Sequence, residues 1–204
     1  MTTSAAQHIH RDDTGSKIGM WLFLFSELIL FGGLFIVYAV YRFKHPDEFR
    51  LAAEELDTFL GTVNTIILLT SSLSVAMSIT AIQQGRRRLS MTLVGITIAL
   101  ALVFLVNKYF EWSHKISLGI YPKSPELIGR PDGEILYFGL YYVMTGLHAL
   151  HVIIGMAVLA VMFAYLSKGS VNRNSYVRLE AGGLYWHLVD IIWIFLFPLF
   201  YLIH

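Results

Sequence analysis

The sequence of 204 residues is too apolar for an ordinary soluble domain, because 56% of it is hydrophobic and only 14% is charged, against roughly a quarter charged in soluble globular proteins. This composition, with 14% aromatic residues, also excludes a disordered chain. The absence of cysteine excludes disulfides, thiolate metal sites and thiol nucleophiles. A net charge of +1 gives no basic field for binding nucleic acid.

Five apolar runs are long enough to cross a bilayer as α-helices, which takes about 20 residues each. They are expected at residues 19–41, 59–82, 89–110, 135–166 and 184–203, of which the fourth is longer than a bilayer requires. Residues 1–17 are polar and are expected to form a tail ahead of a transmembrane domain at 18–204. The sequence therefore predicts an all-α, polytopic membrane protein built as a bundle of five transmembrane helices.

Lys and Arg in the connections indicate the orientation, since these residues favour the cytoplasmic side. The basic residues divide almost evenly between the two sides. The compact run of Arg86, Arg87 and Arg88 in the shortest loop favours a cytoplasmic N-terminus. An odd number of spans then predicts a C-terminus on the opposite side, which in a bacterial inner membrane is the periplasm.

Glu27 is the most unusual residue of the chain, because it lies about nine residues, or about 13 Å, into the first span. An ionised carboxylate at that depth is costly, so it should be neutral, paired, or turned toward protein or a polar cleft. The plain interpretation is a hydrogen bond to a neighbouring helix, with His148 and His151 as candidate partners. A proton-relay or ligand site is the alternative.

Pairs of histidine and carboxylate also recur three residues apart, which places both members on one helix face. Facing helices with such pairs can hold a metal ion, so a site built from a subset of Glu27, His148, His151, His187 and Asp190 stays open. We favour instead a buried hydrogen-bond network that holds helices together, with no metal and no catalytic residue. The pairs are His148 with His151, His187 with Asp190, and Glu111 with His114.

Two further patterns concern packing. Small side chains at Ser72, Ala76 and Thr80 predict a ridge for close helix approach on the second span. Tryptophan and tyrosine near span ends are typical of an interfacial belt, and we assign to it Trp21, Trp112, Tyr121, Tyr185, Trp186 and Trp193.

Five segments, in order, resemble subunit III of the haem-copper terminal oxidases, the group of cytochrome c oxidase and bacterial quinol oxidase. WLFLFSELILFGGLF is similar to the family's span with a membrane-embedded acid, which falls on Glu27. LLTSSLSVAMS, KYFEWSH and TGLHALHVIIG are similar to later helices, and LEAGGLYWHLVDIIWIFLF is the most specific match. The resemblance covers the chain from Ile18 to Ile203.

This resemblance implies the five-helix form of the family, without the two N-terminal helices of the seven-helix form. In the longer form phospholipids occupy a cleft beside those two helices, so a self-contained lipid cleft is in doubt here. The resemblance also implies no cofactor in this chain, phospholipid as a ligand, and haem and copper in partner subunits. The implied partners are subunit I, then subunit II, small subunits and membrane lipids.

The leading hypothesis is a non-catalytic subunit of a proton-pumping oxidase that reduces oxygen to water in aerobic respiration. It would brace subunit I, hold lipid and assist proton uptake. A quinol oxidase subunit III and an accessory subunit of a nitric oxide reductase are alternatives, and the electron donor stays open with a preference for cytochrome c. A third hypothesis is a free-standing membrane enzyme or proton transporter that uses Glu27 and the buried histidines.

Arg173 and Arg178 lie close to the inner end of the fifth span. A guanidinium at that level can bind a phosphate in bidentate fashion. They are therefore candidate ligands of a lipid headgroup, while a solvated loop charge that serves topology is the alternative.

Overall fold

The computed structural model describes residues 13–173 and 175–203. These residues form seven helices, and the five long apolar ones, α1, α3, α4, α6 and α7, have the length and composition of membrane spans. The prediction of an all-α membrane protein with five transmembrane helices is thus confirmed. The helices are α1 (Asp13–Lys44), α2 (Pro46–Glu54), α3 (Thr58–Gln83), α4 (Arg87–Ser117), α5 (Pro125–Ile128), α6 (Asp132–Lys168) and α7 (Val177–Tyr201).

Each spanning helix is longer than its predicted apolar run, because polar residues at the ends continue the helix. Within the predicted N-terminal tail, residues 13–17 already belong to α1, while residues 1–12 lie outside the described part of the chain. Two short helices were not predicted. α2 lies between α1 and α3 and packs on α6, with Phe49, Ala52 and Ala53 buried.

Alternating helix directions give the bundle two end faces. The N-terminal face carries the start of α1 and the connections 84–86 and 169–176, and the C-terminal face carries α2, α5 and the end of α7. α7 is the most enclosed span, with 56% of its most apolar stretch buried against 11% for α1. α1 therefore lies at the edge of the bundle, where it contacts α2, α6 and α7.

The α3–α4 hairpin packs through small hydroxyl side chains, but on a different face of α3 from the one predicted. Ser71, Ser74 and Ser78 are buried, whereas Thr80 is exposed. The Ser74 hydroxyl donates to the Leu93 carbonyl at 3.0 Å. Of the predicted ridge, Ser72 contacts His187 of α7, while Thr80 has no place in a helix contact because it is exposed. Sequence spacing alone does not tell which small-residue face of α3 meets which helix.

Aromatic residues fill the core, which corrects part of the predicted interfacial belt. Trp186 and Trp193 are fully buried and Tyr185 is nearly so, while Trp21 is 63% exposed. The indole N–H groups of Trp186 and Trp193 donate to Ser71 and Thr65 of α3, each at 3.0 Å. These tryptophans therefore fix α7 against α3.

The end of α7 is held by three side chains from other helices. The last carbonyls of a helix have no partner within it. Here the hydroxyl of Tyr38 in α1 donates to the Leu199 carbonyl, and that of Thr58 in α3 donates to the Tyr201 carbonyl at 3.1 Å. Tyr137 in α6 donates to the Phe200 carbonyl at 2.6 Å. The C-terminal face is thereby closed around α7.

Candidate functional site

Glu27 lies against His151, with 2.8 Å between its Oε2 and the Nε2 of the ring. Both side chains are largely buried, at 15% and 9% exposure, and the edge of the Phe31 ring covers the imidazole. The contact joins α1, the most peripheral span, to α6. The membrane-embedded acid is therefore a helix-to-helix contact at the rim of the bundle.

Both ring nitrogens of His151 are in contact with an oxygen. Its Nδ1 lies 2.7 Å from the Leu147 carbonyl, and a carbonyl oxygen only accepts, so Nδ1 carries a hydrogen. Nε2 is then the nitrogen that meets the Glu27 carboxyl. The two contacts fix the orientation of the ring between α1 and α6.

His148, one turn away on the same helix, has a different environment. The ring is fully buried between Trp193 and Phe104, whose centroids lie 5.2 and 5.6 Å from its own. Among the described residues, neither ring nitrogen has a hydrogen-bond partner. The His148 ring therefore packs between aromatic side chains of α4 and α7 and takes no part in the Glu27 contact.

His187 and Asp190 form a third, separate place on α7. The Ser72 hydroxyl of α3 lies 2.6 Å from the Nδ1 of His187. Asp190 is 5% exposed, and its Oδ1 has no hydrogen-bond partner among the described residues. Ser72 is thus the polar link between α3 and α7 at this level.

The five candidate residues of the interior therefore do not meet at one point. Within the ranges that the structure describes, no three histidine or acidic side chains lie close enough to hold a metal ion. The metal site left open by the sequence pattern is not formed by Glu27, His148, His151, His187 and Asp190. Glu27 and His151 instead form one polar contact between helices, and His187 forms another with Ser72.

A fourth polar cluster, which we call the Lys108 cluster, comprises Lys108, Glu111, Tyr141 and Tyr201. The Lys108 ammonium donates to Glu111 at 3.2 Å, to the Tyr141 hydroxyl at 3.0 Å and to the Tyr201 hydroxyl at 2.9 Å. Both tyrosine hydroxyls donate to Glu111 Oε1 at 2.5 Å. The three ammonium hydrogens and both carboxylate oxygens are therefore used, which is the condition under which a buried ion pair is tolerated.

Sequence reasoning missed the Lys108 cluster, although part of its signal was visible. Lys108 and Glu111 lie three residues apart, yet Glu111 was paired with His114, whose side chain is exposed. Tyr141 and Tyr201 are 33 and 93 residues away from Lys108. A basic residue near the end of an apolar run is usually assigned to the interface, and no local pattern marks the two tyrosines as its partners.

The surface next to this cluster carries a second set of charged contacts. A pocket of about 450 Å³ on the C-terminal face is lined by Glu111 and by Glu55, His114 and Lys115 among others. Arg130 donates to Glu134 at 3.1 Å and also to Glu55. The hydrogen bond with Glu55 holds the pKa of Arg130 above its usual value, so this arginine stays charged and ties α5 and the start of α6 to α2.

The two candidate headgroup ligands lie apart from these clusters, near the N-terminal face. Arg178 places its guanidinium carbon 5.6 Å from the centre of the Tyr165 ring, and Arg173 is exposed in the 169–176 connection. Both positions are compatible with a headgroup at the membrane surface.

Comparison with known proteins gives a match over the whole chain. The family model described as cytochrome c oxidase subunit III matches residues 1–204. The chain is similar to cytochrome c oxidase subunit 3 of Thermostichus vulcanus, with 32% identity over 203 residues, covering 99% of this chain and 94% of the relative. It is also similar to a probable quinol oxidase subunit 3 of Staphylococcus haemolyticus, with 28% identity over 92% of this chain and 89% of the relative.

A third relative is a fused protein. The heme-copper oxidase subunit I+III of Aeropyrum pernix is 32% identical over 193 residues, which cover 92% of this chain and 22% of that longer protein. In this relative, a segment similar to the present chain is covalently joined to a subunit I.

Proposed function

This chain belongs to the cytochrome c oxidase subunit III family, which confirms the resemblance in its motifs, and we propose that it is a non-catalytic subunit of a haem-copper terminal oxidase. The whole-chain family match carries this proposal. Subunit I is the proposed main partner, because the Aeropyrum relative joins the two subunits in one chain. The haem and copper that reduce oxygen would belong to subunit I, and copper A, where present, to subunit II.

The contacts of the polar interior support a non-catalytic role. Lys108 and Glu111 are saturated by each other and by two tyrosines, so neither is free to act on a substrate. Glu27 and His151 are engaged with each other. Groups used in this way stabilise helix packing, at about 0.6–2 kcal/mol per polar contact in membranes.

We favour cytochrome c as the electron donor of the complex, with quinol as the alternative. Relatives named as cytochrome c oxidase and as quinol oxidase subunits both align over most of the chain. The residues described here include no group that would distinguish the two donors. The identity of the co-purified subunits therefore decides between them.

The same proposal includes the orientation in the membrane, the lipid contacts and a role in proton uptake. The protein lies in a bacterial inner membrane with its N-terminus in the cytoplasm, so that Arg86 to Arg88 face the cytoplasm. Arg173 and Arg178 bind lipid headgroups on that side. The pair of Glu27 and His151, at the rim of the bundle, assists proton uptake.

Purification of the tagged chain from its native membrane tests the proposal. We expect a haem-bearing complex with subunit I whose initial rate of oxygen reduction is largely kept when this chain is removed, while activity decays faster during turnover. A stable monomer that reduces oxygen or moves protons in liposomes by itself would overturn the proposal. Removal that abolishes the first turnover would place catalytic groups in this chain.

A further inference from the structure

The connection between α3 and α4 forms a basic pocket at the membrane surface. Three residues, 84–86, join two spanning helices, so this connection lies at one surface of the bilayer in either orientation. A pocket of about 790 Å³ opens there and is lined by Gly85, Arg86, Arg87, Arg88, Leu89 and Met91. Its volume is in the range of small-molecule sites, roughly 300–1,000 Å³.

The three arginines of this pocket are not equivalent. Arg87 is turned to α6, where its Nε donates to the Leu166 carbonyl at 2.6 Å and its Nη2 donates to the Ser167 carbonyl. It therefore satisfies the end of α6, as basic side chains often do at helix C-termini. Arg86 and Arg88 are exposed, and their guanidinium groups have no hydrogen bond or ion pair among the contacts of the described residues.

The remaining walls indicate what kind of ligand fits. No carboxylate lines the pocket, so the charges of Arg86 and Arg88 are not neutralised within it. Leu89 and Met91 continue the wall along α4 toward the apolar part of the span, and Leu89 is 44% exposed. Positive charge at the surface with an apolar wall below it matches an anionic head attached to an acyl chain.

We propose that Arg86 and Arg88 bind the phosphate of an anionic phospholipid at the α3–α4 connection. Each guanidinium can donate two parallel hydrogen bonds to phosphate oxygens. Arg87 holds the end of α6 beside the site, so the lipid would rest against both α4 and α6. Arg173 and Arg178 do not line this pocket, and the proposal depends on the membrane spans alone, not on the proposed oxidase function.

Lipid titration of the delipidated native complex, followed by native mass spectrometry, tests the site. The probes are phosphatidylglycerol, phosphatidylcholine with the same chains, and inorganic phosphate. Each basic residue near an anionic lipid contributes about fivefold in affinity, so R86Q/R88Q should bind phosphatidylglycerol about 25-fold more weakly. Binding of phosphatidylcholine should be equal in both proteins.

Two further variants keep the result interpretable. R86K/R88K retains charge but loses bidentate geometry, so its affinity should lie between the other two. K44Q/R50Q removes two exposed charges on the opposite face and should change affinity less than twofold. Equal binding of phosphatidylglycerol by R86Q/R88Q and the unmodified complex would overturn the proposal, as would a site that binds inorganic phosphate and not the lipid.

Discussion

Lys108 and Glu111 lie one turn apart on α4, with 3.2 Å between Nζ and Oε2, and each side chain is only 4% exposed. The pair is enclosed by hydroxyl groups of α6 and α7, and the ammonium also lies 4.9 Å from the centre of the Tyr141 ring. One ion pair thus determines how three spanning helices meet near the C-terminal face. Loss of either charge should loosen all three.

We therefore expect Lys108→Met to destabilise the protein by about 3–5 kcal/mol, because it leaves the Glu111 carboxylate buried and uncompensated. Glu111→Gln should have a similar cost for the converse reason. The double variant K108M/E111Q should cost clearly less than the sum of the two. The measurement is the free energy of unfolding from a denaturant titration in detergent.

Lys44→Met is the matched control, since Lys44 is exposed at the end of α1. Its effect should stay within about 0.5 kcal/mol. Strictly additive costs in the double variant would show that the two charges do not stabilise each other.

The contact between Glu27 and His151 predicts how fast the oxidase activity decays during sustained turnover. Glu27→Gln keeps a donor for the Nε2 of His151, so the complex should assemble and retain most of its initial rate of oxygen reduction. Glu27→Ala leaves that nitrogen without its partner, at a cost of about 1–3 kcal/mol, and weakens the packing of α1 on α6. We expect full haem content with a faster decay of activity over many turnovers.

The comparison is made on assembled complexes, by initial rate and by rate after sustained turnover. If Glu27→Gln removed the first turnover, the carboxyl would take part in the chemistry directly. A packing role for Glu27 would then be wrong.

Two histidines three residues apart on α6 allow the same substitution in opposite environments. His148→Leu removes two ring nitrogens that have no partner among the described residues, and the volumes are similar, so the free energy of unfolding should change by less than about 1.5 kcal/mol. His151→Leu leaves the Glu27 carboxyl unpaired and should cost about 1–3 kcal/mol. Thermal unfolding of both variants in one detergent distinguishes them, and an equal or larger loss for His148→Leu would mean that its ring nitrogens are used.

The sequence allowed the fold and part of the interior to be predicted. The number of spans follows from apolar run length, which local composition determines. Glu27 was recognisable because an acid deep in a span needs a partner. The choice of His151 over His148 was not predictable, since both lie on one side of α6 and only the position of α1 decides between them.

The remaining features depend on contacts between distant segments. Trp186 and Trp193 lie in the span nearest the C-terminus and were assigned to the interface, yet the faces they occupy are turned to α3. Position along a span does not tell which side of a helix meets protein and which meets lipid. The Lys108 cluster was hidden for the same reason, because its tyrosines come from two other helices.

The last prediction concerns two glycines of α6 with opposite surroundings. A Cβ at Gly155 would lie 2.8 Å from the Trp186 ring, whereas a Cβ at Gly139 would meet no atom within 4 Å. The indole cannot easily withdraw, because it is fully buried and its N–H is bonded to Ser71. Gly155→Ala should therefore separate α6 from α7 and destabilise the protein by about 1–3 kcal/mol. Gly139→Ala should instead stabilise the helix by about 0.5–1 kcal/mol, since alanine loses less backbone entropy in a helix.

The measurement is the free energy of unfolding of Gly155→Ala and Gly139→Ala, determined side by side. The changes from the unmodified protein should have opposite signs. Equal effects would mean that α6 and α7 do not approach each other closely at Gly155.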